Sequence, residues 1–195
     1  MKATLLLTIL FFIGFCQAQI NFADPNLKTI LARITVDDAR ATDASGNPIV
    51  IDANGNQEIE IAEALQVYRL NIDNNDNIDN PIITDLDGIQ FFTNLTHLSV
   101  TTNDLQTIDV RALINLTDLT CNENPRLTNL NVSGLEQLDS IVAFNCNISA
   151  LDISGCTNLK HLICYNNSLQ QIDFSGIQTL EVVLCHDNEL TNLNL

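Results

Sequence analysis

"LKHLICYNNSLQQIDFSG" runs from Leu159 to Gly176. Its recurring apolar positions are Leu159, Leu162, Cys164, Leu169, Ile172 and Phe174, with steps of 3, 2, 5, 3 and 2 residues. A helix would repeat them near every 3.6 residues and a half-buried strand near every 2. The stretch does neither for long, and it places a cysteine among its aliphatic residues.

The same spacing recurs along the chain. It begins at Leu95 (Leu98, Val100, Asn103, Leu105, Ile108, Val110), at Leu116 (Leu119, Cys121, Asn124, Leu127, Leu130, Val132) and at Leu138 (Ile141, Ala143, Cys146, Ile148, Leu151, Ile153). It follows at Leu159, with Asn167 in the asparagine slot, and at Leu180 (Val183, Cys185, Asn188, Leu190, Leu193, Leu195). Successive starts lie 21, 22, 21 and 21 residues apart, and the extra residue falls in "NENPRL", where Pro125 widens a turn. A fixed period of this length signals a repeat architecture. One coil cannot bury its own apolar face, so coils stack and share a core.

Each copy matches L-x-x-L-x-L-x-x-N/C-x-L and resembles the leucine-rich repeat family, in particular the short bacterial type with a nested second half. That half reads "LQTIDV", "LTNLNV", "ISALDI", "LQQIDF" and "LTNLNL". The resemblance implies a mostly β solenoid: a parallel sheet, short turns on the other face, and a small helical N-terminal cap. It extends upstream in "VYRLNIDNN", an imperfect first repeat, and in "TDLDGIQFFTNLTHL", which resembles the linker of secreted internalin-like proteins. Asn103, Asn124, Asn167 and Asn188 are expected to stack in the ninth position, where their amides satisfy backbone groups left unpaired by a tight turn. Cys146 interrupts that column as a known variant in the family. Cys121, Cys164 and Cys185 fill the sixth position as small buried apolar residues. In-register neighbours put Cβ atoms about 4.8 Å apart, more than the roughly 3.8 Å a disulfide prefers, which predicts free thiols.

Three segments follow. Residues 1–18 read as a secretory signal peptide: Lys2, an apolar run from Leu5 to Phe15, then a small-residue site at Ala18. The run is shorter than the roughly 20 residues of a membrane span, and no other segment could serve as one. Phe15 is large where a lipidated Cys16 would need a small neighbour. The expected localisation is secreted or cell surface, after cleavage near Ala18. Residues 19–66 read as a cap, with Asp24-Pro25 starting a helix over "PNLKTILARI". Residues 67–195 hold one imperfect and five regular repeats, and "DNNDNID" from Asp73 reads as a solvated insertion.

The formal net charge is −16, so the chain repels phosphate backbones and nucleic acid is excluded as a natural partner. No phosphate loop, zinc motif or Rossmann fingerprint occurs. His97 and His161 share a repeat position but lie three coils apart, roughly 15 Å, and the sequence predicts no enzyme.

The outward rows of the strands are more informative. Row three reads His97, Asp118, Ser140, His161, Val182; row five Ser99, Thr120, Val142, Ile163, Leu184; row seven Thr101, Asn122, Phe144, Tyr165, His186. Polar coils give way to apolar ones. Val142, Phe144, His161, Ile163, Tyr165, Val182, Leu184 and His186 are the expected ligand-binding residues of a concave face that takes a protein or glycan at the cell exterior. The competing readings are a spacer or adhesion segment of a longer surface protein with no ligand, and a calcium-dependent module.

The calcium reading rests on "DANGNQEIEIAE". Asp52, Asn54, Asn56, Glu58 and Glu63 fall at positions 1, 3, 5, 7 and 12 of a loop resembling an EF-hand or dockerin site, with Gln57 where glycine belongs. A plain polar turn leading into a helix at "EIAEALQV" fits the same residues. Finally, Leu180, Val183, Leu190, Leu193 and Leu195 would leave an apolar last coil open. That predicts a fragment of a longer protein, or self-association through this coil.

Overall fold

The computed structural model describes residues 18–74 and 81–192. Most of the expected signal peptide (residues 1–17), most of the acidic insertion, and Leu193 and Leu195 lie outside them. The fold is a leucine-rich repeat solenoid. Its main strands are β2 (Arg69–Asn71), β3 (His97–Ser99), β5 (Asp118–Thr120), β7 (Ser140–Val142), β9 (His161–Ile163) and β10 (Val182–Leu184), all parallel and adjacent in that order. Register follows the repeat: Leu98 pairs with Leu119, Leu119 with Ile141, Ile141 with Leu162 and Leu162 with Val183. The first four are at most 1% exposed, so each central residue points inward while its two neighbours point out. Burying one such side chain contributes about 1.5–3 kcal/mol.

The opposite side holds more than turns. β4 (Thr107–Asp109), β6 (Asn129–Asn131) and β8 (Ala150–Asp152) form a second parallel sheet among the described residues, with Ile108, Leu130 and Leu151 facing the core. The nested half-repeat supplies an inward Leu or Ile on each coil, which is enough to align three-residue strands. Just beyond, the carboxylates of Asp152 and Asp173 accept the backbone N–H groups of Ser154 and Ser175, and the chain turns at glycine. A Cβ on Gly155 (φ +78°) would sit 2.9 Å from the Cα of Gly134 in the coil before, so the coils approach too closely there for any side chain.

The asparagine column forms as expected. Asn124 Nδ2 donates to the carbonyls of Val100, Cys121 and Asn122, and its Oδ1 accepts the N–H of Leu105. Asn167 repeats this with Ala143, Cys164, Tyr165 and Ile148; Asn188 does so with Cys164, Cys185, His186 and Leu169. The residue before each column position, from Thr102 to Asp187, is left-handed with φ between 53° and 58°. That turns the chain sharply and leaves the carbonyls the amides collect.

Coil three departs for a legible reason. Cys146 Sγ keeps the donor role, to the carbonyls of Cys121 and Phe144, but offers no amide oxygen. None is needed, because the extra residue at Pro125 lets Leu127 N–H bond Asn124 O at 2.9 Å within its own turn. The inserted residue and the missing asparagine compensate each other.

The N-terminal cap is built on α1 (Pro25–Arg33), which buries Leu27, Ile30 and Leu31. Asp24 caps it, accepting Asn26 N–H at 2.7 Å and, through its other oxygen, the N–H and hydroxyl of Thr84. β1 (Ala41–Thr42) runs antiparallel to β2 and covers that edge of the sheet. The helix expected at "EIAEALQV" is a single turn, α2 (Ile61–Ala64), held by a capping box between Glu60 and Glu63.

Candidate binding face

The outward rows divide the large sheet into two halves. In the first two coils the polar side chains are engaged with one another. His97 Nε2 lies 3.1 Å from Asp118 Oδ2, Thr96 Oγ1 lies 2.8 Å from His97 Nδ1, and Thr117 Oγ1 donates to Asp118. Burial holds the His97 imidazole below its usual pKa, against the opposing pull of Asp118. Asp73 reaches across from the imperfect repeat to accept from the Ser99 hydroxyl and the Thr101 N–H. Row seven starts buried: Thr101 is 6% exposed and Asn122 is 9% exposed, where the sequence pattern puts them on the open face.

Coils three to five carry apolar side chains in the same rows. Val142, Phe144, Ile163 and Tyr165 are half-buried, and Val182 and Leu184 are exposed. Row seven closes into a continuous ring stack. Phe144 and Tyr165 lie 4.8 Å apart and 7° from parallel; Tyr165 and His186 lie 4.7 Å apart at 8°. The strand spacing of about 4.8 Å sets this separation, so one aromatic per coil in a single row suffices. His161, at the edge of the patch, sits 3.4 Å from Asp139, whose carboxylate also takes the Lys160 ammonium. That ammonium, first of all, holds the Asp139 carboxyl below its ordinary range.

All of the predicted face residues therefore share one surface. The ring stack is legible in the row-seven spelling Phe144, Tyr165, His186; the burial of Thr101 is not, and its N–H bonds Asp73, which lies outside the regular repeats.

The cap loop is closed on itself. Asp52 accepts the N–H groups of Gly55, Asn56 and Gln57; Asn54 Oδ1 accepts Asn56 N–H, and Asn56 Oδ1 accepts Glu58 N–H. Glu63 accepts from Ala53, Asn54 and Glu60, and Glu58 pairs with Lys28 at 2.5 Å. Gln57 does adopt the left-handed turn expected at its position, with φ 64°. Among the described residues no three His, Cys, Asp or Glu side chains are grouped to hold a metal ion.

The five cysteines among the described residues, Cys121, Cys146, Cys156, Cys164 and Cys185, are free. Burial raises the Cys164 thiol to about 12 and Cys146 to about 11, so both are poor nucleophiles at neutral pH.

No protein-family model matches the chain, and no curated protein matches it. Among solved structures it is similar to the functional domain of InlJ from Listeria monocytogenes, which includes a cysteine ladder, at 28% identity and a TM-score of 0.51 over 60% of this chain. The match spans 30% of that protein's chain. Two internalins of L. monocytogenes strain 4b F2365 align more loosely: InlF at 17% identity and TM-score 0.48, over 86% of this chain and 52% of its own, and InlC2 at 19% and 0.44, over 88% and 78%. The solenoid is internalin-like. In its sixth-position column, Val100, Cys121, Ala143, Cys164 and Cys185, three of the five residues are cysteine. No helix among the described residues is long and apolar enough to cross a membrane.

Proposed function

We propose that this chain is an extracellular binding module that presents the outward, concave face of its large sheet to a protein or glycan partner. One observation carries the reading. Strands that already bury a full inward column also display Val142, Phe144, Ile163, Tyr165, Val182 and Leu184 on the outward side, where folding does not require them. Export follows from the leader, with cleavage near Ala18. A mature start at Gln19 keeps the hydrogen bond from Ile20 N–H to Ile59 O and the Gln19–Glu60 bridge, and gives up the one from Ile61 N–H to Ala18 O.

The test is a comparison of labelled mature chain, Tyr165→Ala and Thr120→Ala on arrays of extracellular proteins and glycans. Signals lost in Tyr165→Ala and kept in Thr120→Ala support the module. Signals indifferent to both substitutions, or none, favour the spacer reading.

Self-association is the second reading. In the last coil Val182 is 37% exposed and Leu184 41%, and Leu180, Val183 and Leu190 are half-buried. Light scattering that gives a monomer at high concentration removes it.

A further inference from the structure

We infer that the partner of this face is a cationic protein segment, with apolar side chains flanked by Lys or Arg, and not a glycan; this rests on the binding-face reading above. Two independent features of coils three to five point there.

The first is the ring stack. Sugars are held on aromatic residues by stacking a ring against an open aromatic face. Tyr165 has a ring on each side, Phe144 at 4.8 Å and His186 at 4.7 Å, so neither of its faces is open to a sugar. What remains is a ridge of ring edges beside Val142, Ile163 and Leu184. Aliphatic and aromatic side chains fill such a surface, while a sugar hydroxyl laid on it would lose hydrogen bonds to water without replacement.

The second is charge at the rim. Asp139 reaching His161 shows that the residue preceding each strand borders the outward face. Along that border stand Asp139, Lys160 and Glu181, with the Lys160 ammonium bonded to Asp139 and within the field of Glu181. On the other border Glu123 and Asp187 are exposed, the Asp187 side chain at 75%, with Asn145 and Asn166 between them. The apolar patch is thus framed by carboxylates in excess, on a chain of formal charge −16. An acidic partner, or an anionic lipid surface, would be repelled before contact; a basic one would be steered in.

A random-peptide display library selected on the full mature chain tests this without assuming a sequence. Binders are counter-screened on Tyr165→Ala, and affinities are measured on Glu181→Gln/Asp187→Asn, which keeps every apolar contact. The inference predicts that Tyr165-dependent peptides combine Leu, Ile or aromatic residues with net positive charge. It also predicts affinities that fall at least five-fold from 50 to 300 mM NaCl and at least three-fold in the charge-neutralised variant. Tyr165-dependent peptides that are neutral or acidic, or indifferent to salt, overturn the inference and leave the binding face standing. Tyr165-dependent glycan signals on an array overturn it as well. Peptide binding that never depends on Tyr165 overturns both.

Discussion

Coils one and two and coils three to five share one core and differ on the outside. Leu98 and Leu119 lie in the same buried column as Ile141 and Leu162. Outward, the first pair of coils carries His97, Asp118, Ser99 and Thr120, much of it hydrogen-bonded within the chain; the last three carry aliphatic side chains and a ring stack. The difference teaches that alternation along a strand separates two tasks. Inward residues specify the fold and stay nearly constant from coil to coil. Outward residues are free to change, so their change is where specificity is written.

Support from the asparagine column also differs between the two regions. Asn124 is fully buried with four hydrogen bonds, whereas Asn188 makes the same four while half-buried. Asn124→Ala is expected to cost about 2–3 kcal/mol and Asn188→Ala about 1, since stranded backbone groups are costly where water cannot reach them. Urea melts of the two variants read the difference; equal losses would show that the column supports both ends alike.

Next comes the joint between cap and repeats. Burial raises the Asp24 carboxyl, but the N–H groups of Thr84, Asn26 and Asp85 and the Thr84 hydroxyl outweigh it, and its pKa lies below the ordinary value. A carboxyl depressed in the folded state adds stability that is complete above its unfolded pKa, near 4, and is lost as pH falls through the folded value. Asp24→Ala is expected to cost about 1–2 kcal/mol at pH 7, and the gap from wild type should narrow in melts between pH 5 and pH 2. A gap that stays constant with pH would assign the loss to packing.

The smallest effect belongs to the cap loop. The oxygens of Asp52, Asn54, Asn56 and Glu63 already accept hydrogen bonds from the loop itself, so an ion would have to compete with them. Calcium at several millimolar is therefore expected to stabilise by at most about 1 kcal/mol, as for a site with a dissociation constant near 10⁻³ M. Asp52→Ala should remove the response to a chelator. A melting temperature indifferent to calcium leaves a polar turn.

The spacing of apolar residues made the inward columns, the asparagine column and the outward rows legible, because strand alternation and a fixed period convert position directly into direction. Asp24-Pro25 likewise marked the start of α1. Other features needed information that one repeat does not carry. The second sheet depends on three coils agreeing in register at Ile108, Leu130 and Leu151. The helix at Ile61 stops after one turn despite eight favourable letters, since the chain leaves it to enter β2 at Arg69. The partner of the Thr101 N–H is Asp73, outside the regular copies. The compensation between Pro125 and Cys146 links two neighbouring coils, so neither irregularity explains itself alone.

Thermal unfolding of Leu162→Asp beside Ile163→Asp tests the central claim most directly. These neighbours on β9 differ only in which side they face: Leu162 is fully buried and Ile163 stands on the outward patch. An unpaired buried charge costs several kcal/mol, so Leu162→Asp should unfold the repeats. Ile163→Asp should stay folded, with a loss of about 1 kcal/mol. Comparable destabilisation by both, or a greater loss from Ile163→Asp, would contradict the division between a face that folds the chain and a face left free to bind.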